Sequence, residues 1–479
     1  MGCNSCHLIH TDFFRAFMER GARDSSGRRP SALAENFDLI IGNPPFGGSF
    51  DPSIEDQLDA LLGTRLDCKI KKETYAFFIV ACTEMLRPGG RLLFICSDTL
   101  MTIPTMTGLR QYLMESGKIT LHKLEEFSPE TNYPMLVVEY THRDRGQVVH
   151  RFGQPLTQSD IKSTPNLSWG ITPDVARLFR GPKLGDYFVA SSGMTTGKNE
   201  YFVREILPEN TIVEPFAFRF LDGPVSVAYE QERARLNKLP TRKLRELRDA
   251  EHRGDTTRRV GIETRETPTT ISLPHDDYRP YNKAIGRILY SPATHVIFWK
   301  DDGDAVLTYK KTGNWYLRGV GGQPFFGREG LTWQLVASRF VPRYLPSGYV
   351  LDSGAPCAFQ REGVDPSETY FVIGWLLSPL ANQILKTVIN HTMNIQSKDF
   401  ERMPYPWWVP DSMKADATQR VMQMVEDGKA GRRWDWSDRE IKNLGEMYEC
   451  DIHSAPSLSV DPRLTRKSRS ARVIQGTLF

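Results

Sequence analysis

Phe37-Asp38-Leu39-Ile40-Ile41-Gly42-Asn43-Pro44-Pro45-Phe46-Gly47-Gly48 decides how this chain is read. An apolar run, Phe37 with Leu39 to Ile41, stops at Gly-Asn-Pro-Pro. Such a run reads as a strand buried in a parallel sheet. Two prolines cannot continue it, because they lack the amide donor and fix φ. Asn43 therefore falls just past the carboxyl end of a strand, where open α/β sheets place their ligand crevice. Pro45 biases Pro44 towards an extended conformation. The side-chain carbonyl of Asn43 and the backbone carbonyl of Pro44 are both acceptors, and Phe46 adds a flat apolar face. Two acceptors and an aromatic plane suit a planar substrate carrying an NH2 group. The plainer alternative is a rigid turn.

Composition sets the outer limits. The 479 residues suffice for two or three domains. With 40% hydrophobic and 25% charged residues, an ordinary globular protein is expected. No apolar run reaches the length of a membrane span, and the first residues lack the regions of a signal peptide, so a cytoplasmic location is expected. A net charge of +3 does not argue for nucleic acid by itself. Seven scattered cysteines read as free thiols in a reducing compartment. Cys3 and Cys6, with His7 and His10 nearby, have the spacing of a metal pair, but no second pair follows and no metal is expected.

Asn43-Pro44-Pro45-Phe46 resembles the catalytic loop of amino-methyltransferases that use S-adenosylmethionine, the Taq-type N6-adenine DNA methyltransferases and their type IIG restriction–modification relatives above all. The resemblance implies that Asn43 and the Pro44 carbonyl accept hydrogen bonds from the amine of a flipped adenine. Phe46 would stack on its ring, and Phe127, at the Phe127-Ser128-Pro129 corner, on the other face. It also implies that Asp12 and Gly42 face the cofactor. From the residues alone, Asp12 ends a short strand from His7 or caps the helix that follows.

Along the chain, the pattern gives helices at 53–62, 74–86 and 109–114. Strands are expected at 91–96, 119–127 and 135–140, the last two as an antiparallel hairpin. Pro88-Gly89-Gly90 is expected to end the second helix. From about Leu184 the texture shortens to strands and turns. Gly193-Met194-Thr195-Thr196-Gly197-Lys198-Asn199 and Asn394-Ile395-Gln396 to Pro406 resemble the opening and closing of target-recognition domains in this family. Lys198, Asn199, Arg318 and Arg328 are candidate contacts to double-stranded DNA. Residues 231–259 hold ten Lys or Arg against five acids, either a solvated helix or a phosphate-contacting arm. Pro410-Asp411 with Glu440-Ile441-Lys442 could be scanned as a nuclease pattern, but 438–448 reads as an amphipathic helix.

The expected fold class is therefore α/β: an incomplete Rossmann-like methyltransferase sheet, then an α+β target-recognition domain and a helical tail. The divisions are 1–150 partial catalytic domain, 151–184 linker, 185–410 recognition domain, 411–452 helical tail and 453–479 basic, disordered tail. The expected function is site-specific adenine-N6 methylation of DNA within a restriction–modification or phage-defence system. A non-catalytic or partner-dependent recognition subunit, and a methyltransferase acting on protein glutamine or RNA, are the alternatives. Only 42 residues precede Asn43, and none forms a Gly-x-Gly turn after an apolar strand. Half the cofactor site is thus expected to be missing: a fragment, a misassigned start, or a split enzyme with a partner subunit bringing the rest. Gln475, Leu478 and Phe479 resemble the short peptides that dock into DNA sliding clamps.

Overall fold

A computed structural model describes residues 12–19, 36–45, 56–57, 74–124, 135–144, 149–151, 154–221, 259–309, 322–390, 392–433 and 435–449. They fall into two compact units, one drawn from 1–180 and 386–391, the other from 181–385 and 392–479.

The first unit is built on a six-stranded sheet. Its strands are β1 (Phe37–Gly42), β2 (Leu86–Ser97), β3 (Gly117–Lys123), β4 (Met135–His142), β5 (Val149–Arg151) and β6 (Gln154–Leu156), in the spatial order β1-β2-β4-β3-β5-β6. β1 and β2 run parallel, and β4 is antiparallel to both β2 and β3. The hairpin pairing of the last two expected strands is therefore present, with β4 inserted between β2 and β3. Helices α1 (Phe13–Glu19), α2 (Thr74–Glu84) and α3 (Thr107–Ser116) complete the main elements.

α2 is apolar nearly all round, and all of its residues but Phe78 and Glu84 are buried. A helix of that composition belongs inside a protein. Phe13 and Phe14 of α1 pack on Phe78, with ring centroids 4.6 and 4.5 Å apart.

Pro88-Gly89-Gly90 does not act as a simple helix stop. α2 ends at Glu84, and the three residues lie inside β2 as a bulge. Phe37 pairs with Leu86 but Leu39 with Arg91, so β2 carries extra residues there. Gly89 supplies the positive φ of +79° that such a bulge needs.

Alternation divides the sheet into two faces. Leu92, Phe94, Cys96, Leu136, Val138 and Tyr140 are buried. Leu93 and Ile95 are only half-buried, and beside them Leu39 and Ile41 are 46% and 70% exposed. The expectation of a fully buried β1 is thus corrected. Among the described residues β1 has one neighbour, β2, and forms the edge of the sheet.

Residues 151–184, read in sequence as a linker, carry β6 and the helices Gln158–Ser163 and Pro173–Leu178. Thr157 and Asp160 form a capping box that starts the first, and the Thr172 side chain caps the second.

The second unit holds two four-stranded sheets and a two-stranded ribbon. With β7 (Phe188–Ser191), β8 (Val203–Glu205), β9 (Thr211–Leu221), β10 (Arg259–Ser272), β11 (Tyr278–Asn282), β12 (His295–Phe298), β13 (Gly330–Thr332), β14 (Arg343–Leu345), β15 (Val350–Leu351) and β16 (Cys357–Gln360), the orders are β15-β11-β12-β8 and β14-β13-β16-β7, with β9–β10 as the ribbon. Helices α4 (Glu368–Leu377), α5 (Asp411–Lys429) and α6 (Asp438–Glu446) follow. Trp333, Trp375 and Tyr448 are fully buried in this unit. No single described helix is long and apolar enough to cross a membrane; α4, the most apolar, is almost wholly buried.

Candidate active site

The carboxyl ends of β1 and β2 lie side by side, because the pair is parallel with Gly42 opposite Phe94. β1 stops at Gly42, and Asn43-Pro44-Pro45 follow outside any helix or strand. Asn43 is exposed, Pro44 buried and Pro45 exposed. The loop is thus anchored by a proline and presents the asparagine to solvent at the strand end. This is the placement read from sequence. Phe46 and Phe127 lie outside the described residues.

A residue not singled out from sequence fixes the loop from below. A Cβ added at Gly42 would sit 2.8 Å from the Cε1 of Phe94. Real contacts are longer, so the ring occupies the space that any other residue at 42 would need. Phe94 is 3% exposed and cannot move freely. In sequence it is one more apolar residue of a strand; only the register shows that it lies against Gly42. Ser97 ends β2, and its hydroxyl lies 2.9 Å from that of Thr99.

Asp12 is exposed and caps α1, its Oδ1 accepting a hydrogen bond from the Arg15 amide at 2.8 Å. The capping alternative is therefore realised, and the preceding residues lie outside the described set.

A second missed residue holds the loops beyond β2. Arg110 on α3 is fully buried without a carboxylate among its hydrogen-bond partners. It donates to the carbonyls of Leu100 at 2.6 Å, Ile103 at 2.9 Å, Asn166 at 2.5 Å and Leu167 at 3.0 Å. Burial lowers its affinity for the proton. Sequence gives no signal for this, since an arginine on an amphipathic helix reads as surface.

The remaining candidates belong to the second unit. Lys198 is exposed; it pairs with Glu200 at 2.6 Å and donates to the Tyr201 hydroxyl at 3.0 Å. Asn199 accepts from the Thr196 hydroxyl at 2.7 Å through Oδ1. Arg328 lies over the rings of Phe325 and Phe359, 5.5 and 5.6 Å from their centroids. Arg318 lies outside the described residues, as do Cys3, Cys6, most of 231–259 and the final Gln475, Leu478 and Phe479. Asp411 opens α5, while Glu440 accepts from Ser437 and Arg433 at the start of α6. Helix ends do not present the strand-borne Glu and Lys of a nuclease, so that pattern is coincidental.

Comparison with known proteins places this geometry. Residues 8–129 match the family described as Eco57I restriction-modification methylase. The chain is similar to the type II methyltransferase M.TthHB8I of Thermus thermophilus, 26% identical over 237 residues, covering 45% of this chain and 53% of that protein. It is also similar to the type II methyltransferase M.XhoI of Xanthomonas vasicola, 28% identical over 104 residues, 19% of this chain and 18% of that one. The chain thus spans about half the length of the first relative and less of the second. Among solved structures, the type IIL restriction-modification enzyme MmeI in complex with DNA is similar at 10% identity and a TM-score of 0.43, over 89% of this chain and 56% of its own. Gly42-Asn43-Pro44-Pro45, which closes β1, lies inside the span that matches this methylase family.

Proposed function

We propose that the chain is the catalytic-loop and recognition part of a DNA methyltransferase acting on the N6 amine of adenine, within a restriction–modification or phage-defence system. The carrying observation is the exposed Asn43 beside buried Pro44 at the carboxyl end of β1, over a Gly42 packed against Phe94. A paired adenine hides its amine in the duplex, so the base must be flipped out to react. The Asn43 side-chain oxygen and the Pro44 carbonyl then accept the two N–H bonds of the amine and aim its lone pair. Phe46 and Phe127 sandwich the ring. No covalent intermediate forms on the enzyme, the amine loses a proton as the methyl is transferred, and catalysis rests on positioning and on preplaced acceptors. The second unit supplies DNA contacts, with Lys198, Asn199, Arg318 and Arg328 as candidates.

S-adenosylmethionine supplies an activated methyl group when bound. This chain's own residues fit only part of that cofactor. Asp12 and Gly42 face it, but Asp12 already holds the start of α1. Among the described residues β1 is the sheet edge, with Leu39 and Ile41 exposed, which favours completion by further polypeptide. The second reading, a partner-dependent recognition subunit, draws on the same edge. Docking of Gln475, Leu478 and Phe479 into a sliding clamp stays part of the proposal.

The test is Asn43→Ala introduced in the native host, followed by sequencing of its DNA for N6-methyladenine. The modification is expected to vanish at the enzyme's sites while the purified variant still binds duplex DNA. Near-normal methylation in the variant would overturn the role of this loop.

A further inference from the structure

Four loops of the second unit meet, three of them through their backbones. Ala337 donates to the Met393 carbonyl at 2.8 Å, and Ile395 to that of Leu335 at 2.6 Å. These bonds pair Val336 with Asn394 as antiparallel neighbours. Leu335 donates to the Gly354 carbonyl at 3.0 Å. Gly354 lies against Ala284 of the fourth loop: a methyl added there would be 3.7 Å from the Ala284 Cβ. At this junction Ile285, Val336 and Met393 are 63%, 62% and 52% exposed.

The loops are held from inside. Trp333 Nε1 donates to the Ile395 carbonyl at 3.0 Å. Leu289, fully buried, exchanges backbone bonds with Pro342 and Tyr344. Buried Arg343 donates to the Asn282 Oδ1 at 3.0 Å and to the Lys283 carbonyl. Three large apolar side chains thus stand in water on a fixed base, which marks an interaction surface.

The flanking charge tells what covers it. Arg339 and Lys398 are exposed, and neither has a carboxylate partner among the described residues. The nearby acids are occupied: Asp352 pairs with Lys283 at 2.5 Å, and Asp399 accepts from the Gln396 amide at 2.8 Å. Exposed apolar side chains with exposed cations on the same loops match a polyanion with an apolar interior reached through its grooves. Proteins that kink DNA insert such side chains between base steps, while cations hold the phosphates.

We propose that Ile285, Val336 and Met393 form a wedge that unstacks duplex DNA, with Arg339 and Lys398 on the flanking phosphates. This rests on the DNA reading above and assigns the step that makes a base available for flipping.

The test begins with duplexes selected from a random pool by the full chain, then labelled with 2-aminopurine at successive positions. Bound wild type is expected to raise the fluorescence several-fold at one or two steps. Ile285→Ser/Val336→Ser/Met393→Ser is expected to abolish that rise and weaken binding about tenfold, with the salt dependence unchanged. Arg339→Ala/Lys398→Ala is expected to flatten the slope of log K against log salt by nearly two. Circular dichroism melting checks that both variants fold. Unchanged fluorescence and affinity in the triple variant would overturn the wedge, as would a loss confined to self-association in sedimentation. If wild type selects no duplex at all, the DNA reading fails first and takes the wedge with it.

Discussion

Gly42 and Asn43 are neighbours with opposite demands. Gly42 admits no side chain, because Phe94 fills the space. Gly42→Ala should cost about 1–3 kcal/mol by overpacking, and Gly42→Ala/Phe94→Leu should recover part of it. Urea unfolding of the three proteins measures this; a double variant no better than the single would show that the strain lies elsewhere. Asn43, exposed, should be replaceable by Ala at a cost within about 0.5 kcal/mol. Lost methylation in that variant can then be read as lost chemistry. Glu139 makes a different prediction. The hydrogen bond from His122 at 2.9 Å, with help from Arg91, holds its carboxyl below the ordinary range. A carboxylate depressed in the folded state stabilises above its unfolded value near pH 4.3 and loses that contribution as pH falls through the folded value. Glu139→Gln should therefore flatten the acid limb of the stability profile. The effect should stay under about 1 kcal/mol, because His122 and Arg91 are largely in water.

At the scale of elements, α3 does more than cover the sheet. Through Arg110 it ties the turns after β2 to residues 166 and 167. Arg110→Met leaves buried carbonyls without donors and should cost about 3–5 kcal/mol. Arg110→Lys should restore little, since an ammonium lacks the planar fork. Thermal melting of both variants decides it; equal stability to wild type would mean water replaces the guanidinium. Such a tie is invisible in sequence, where Arg110 has the spacing of a surface residue. The elements themselves were legible where periodicity is local: β1, α2, β2, α3 and the β3–β4 pair all follow from apolar spacing and turn residues. The bulge at Pro88-Gly89-Gly90 was misread because the same residues end helices and kink strands. The apolar run of β1 alone reads as buried, because hydrophobicity does not say which neighbours are present, and Ile41 stands 70% exposed. In the second unit, β7 and β16 lie too far apart in sequence for any local pattern to pair them.

For the molecule as a whole, the edge position of β1 among the described residues makes two outcomes measurable. Isothermal titration of the purified chain with S-adenosylmethionine should show no tight binding; a micromolar or stronger site would mean the crevice is complete as it stands. Ile41→Lys should lower self-association in sedimentation without changing the melting temperature, because the side chain is 70% exposed. The long-range pairing of the second unit has a consequence in time as well as space. β7 pairs with β16, Ser191 opposite Cys357. That strand must therefore wait for roughly 170 further residues, about 10–30 s of synthesis at bacterial rates, before its partner leaves the ribosome. Tyr448 then donates its hydroxyl to the Phe371 carbonyl, so the last packing step comes later still. Expression at a slowed translation rate lengthens that exposed interval, and chaperone demand during synthesis should rise with it.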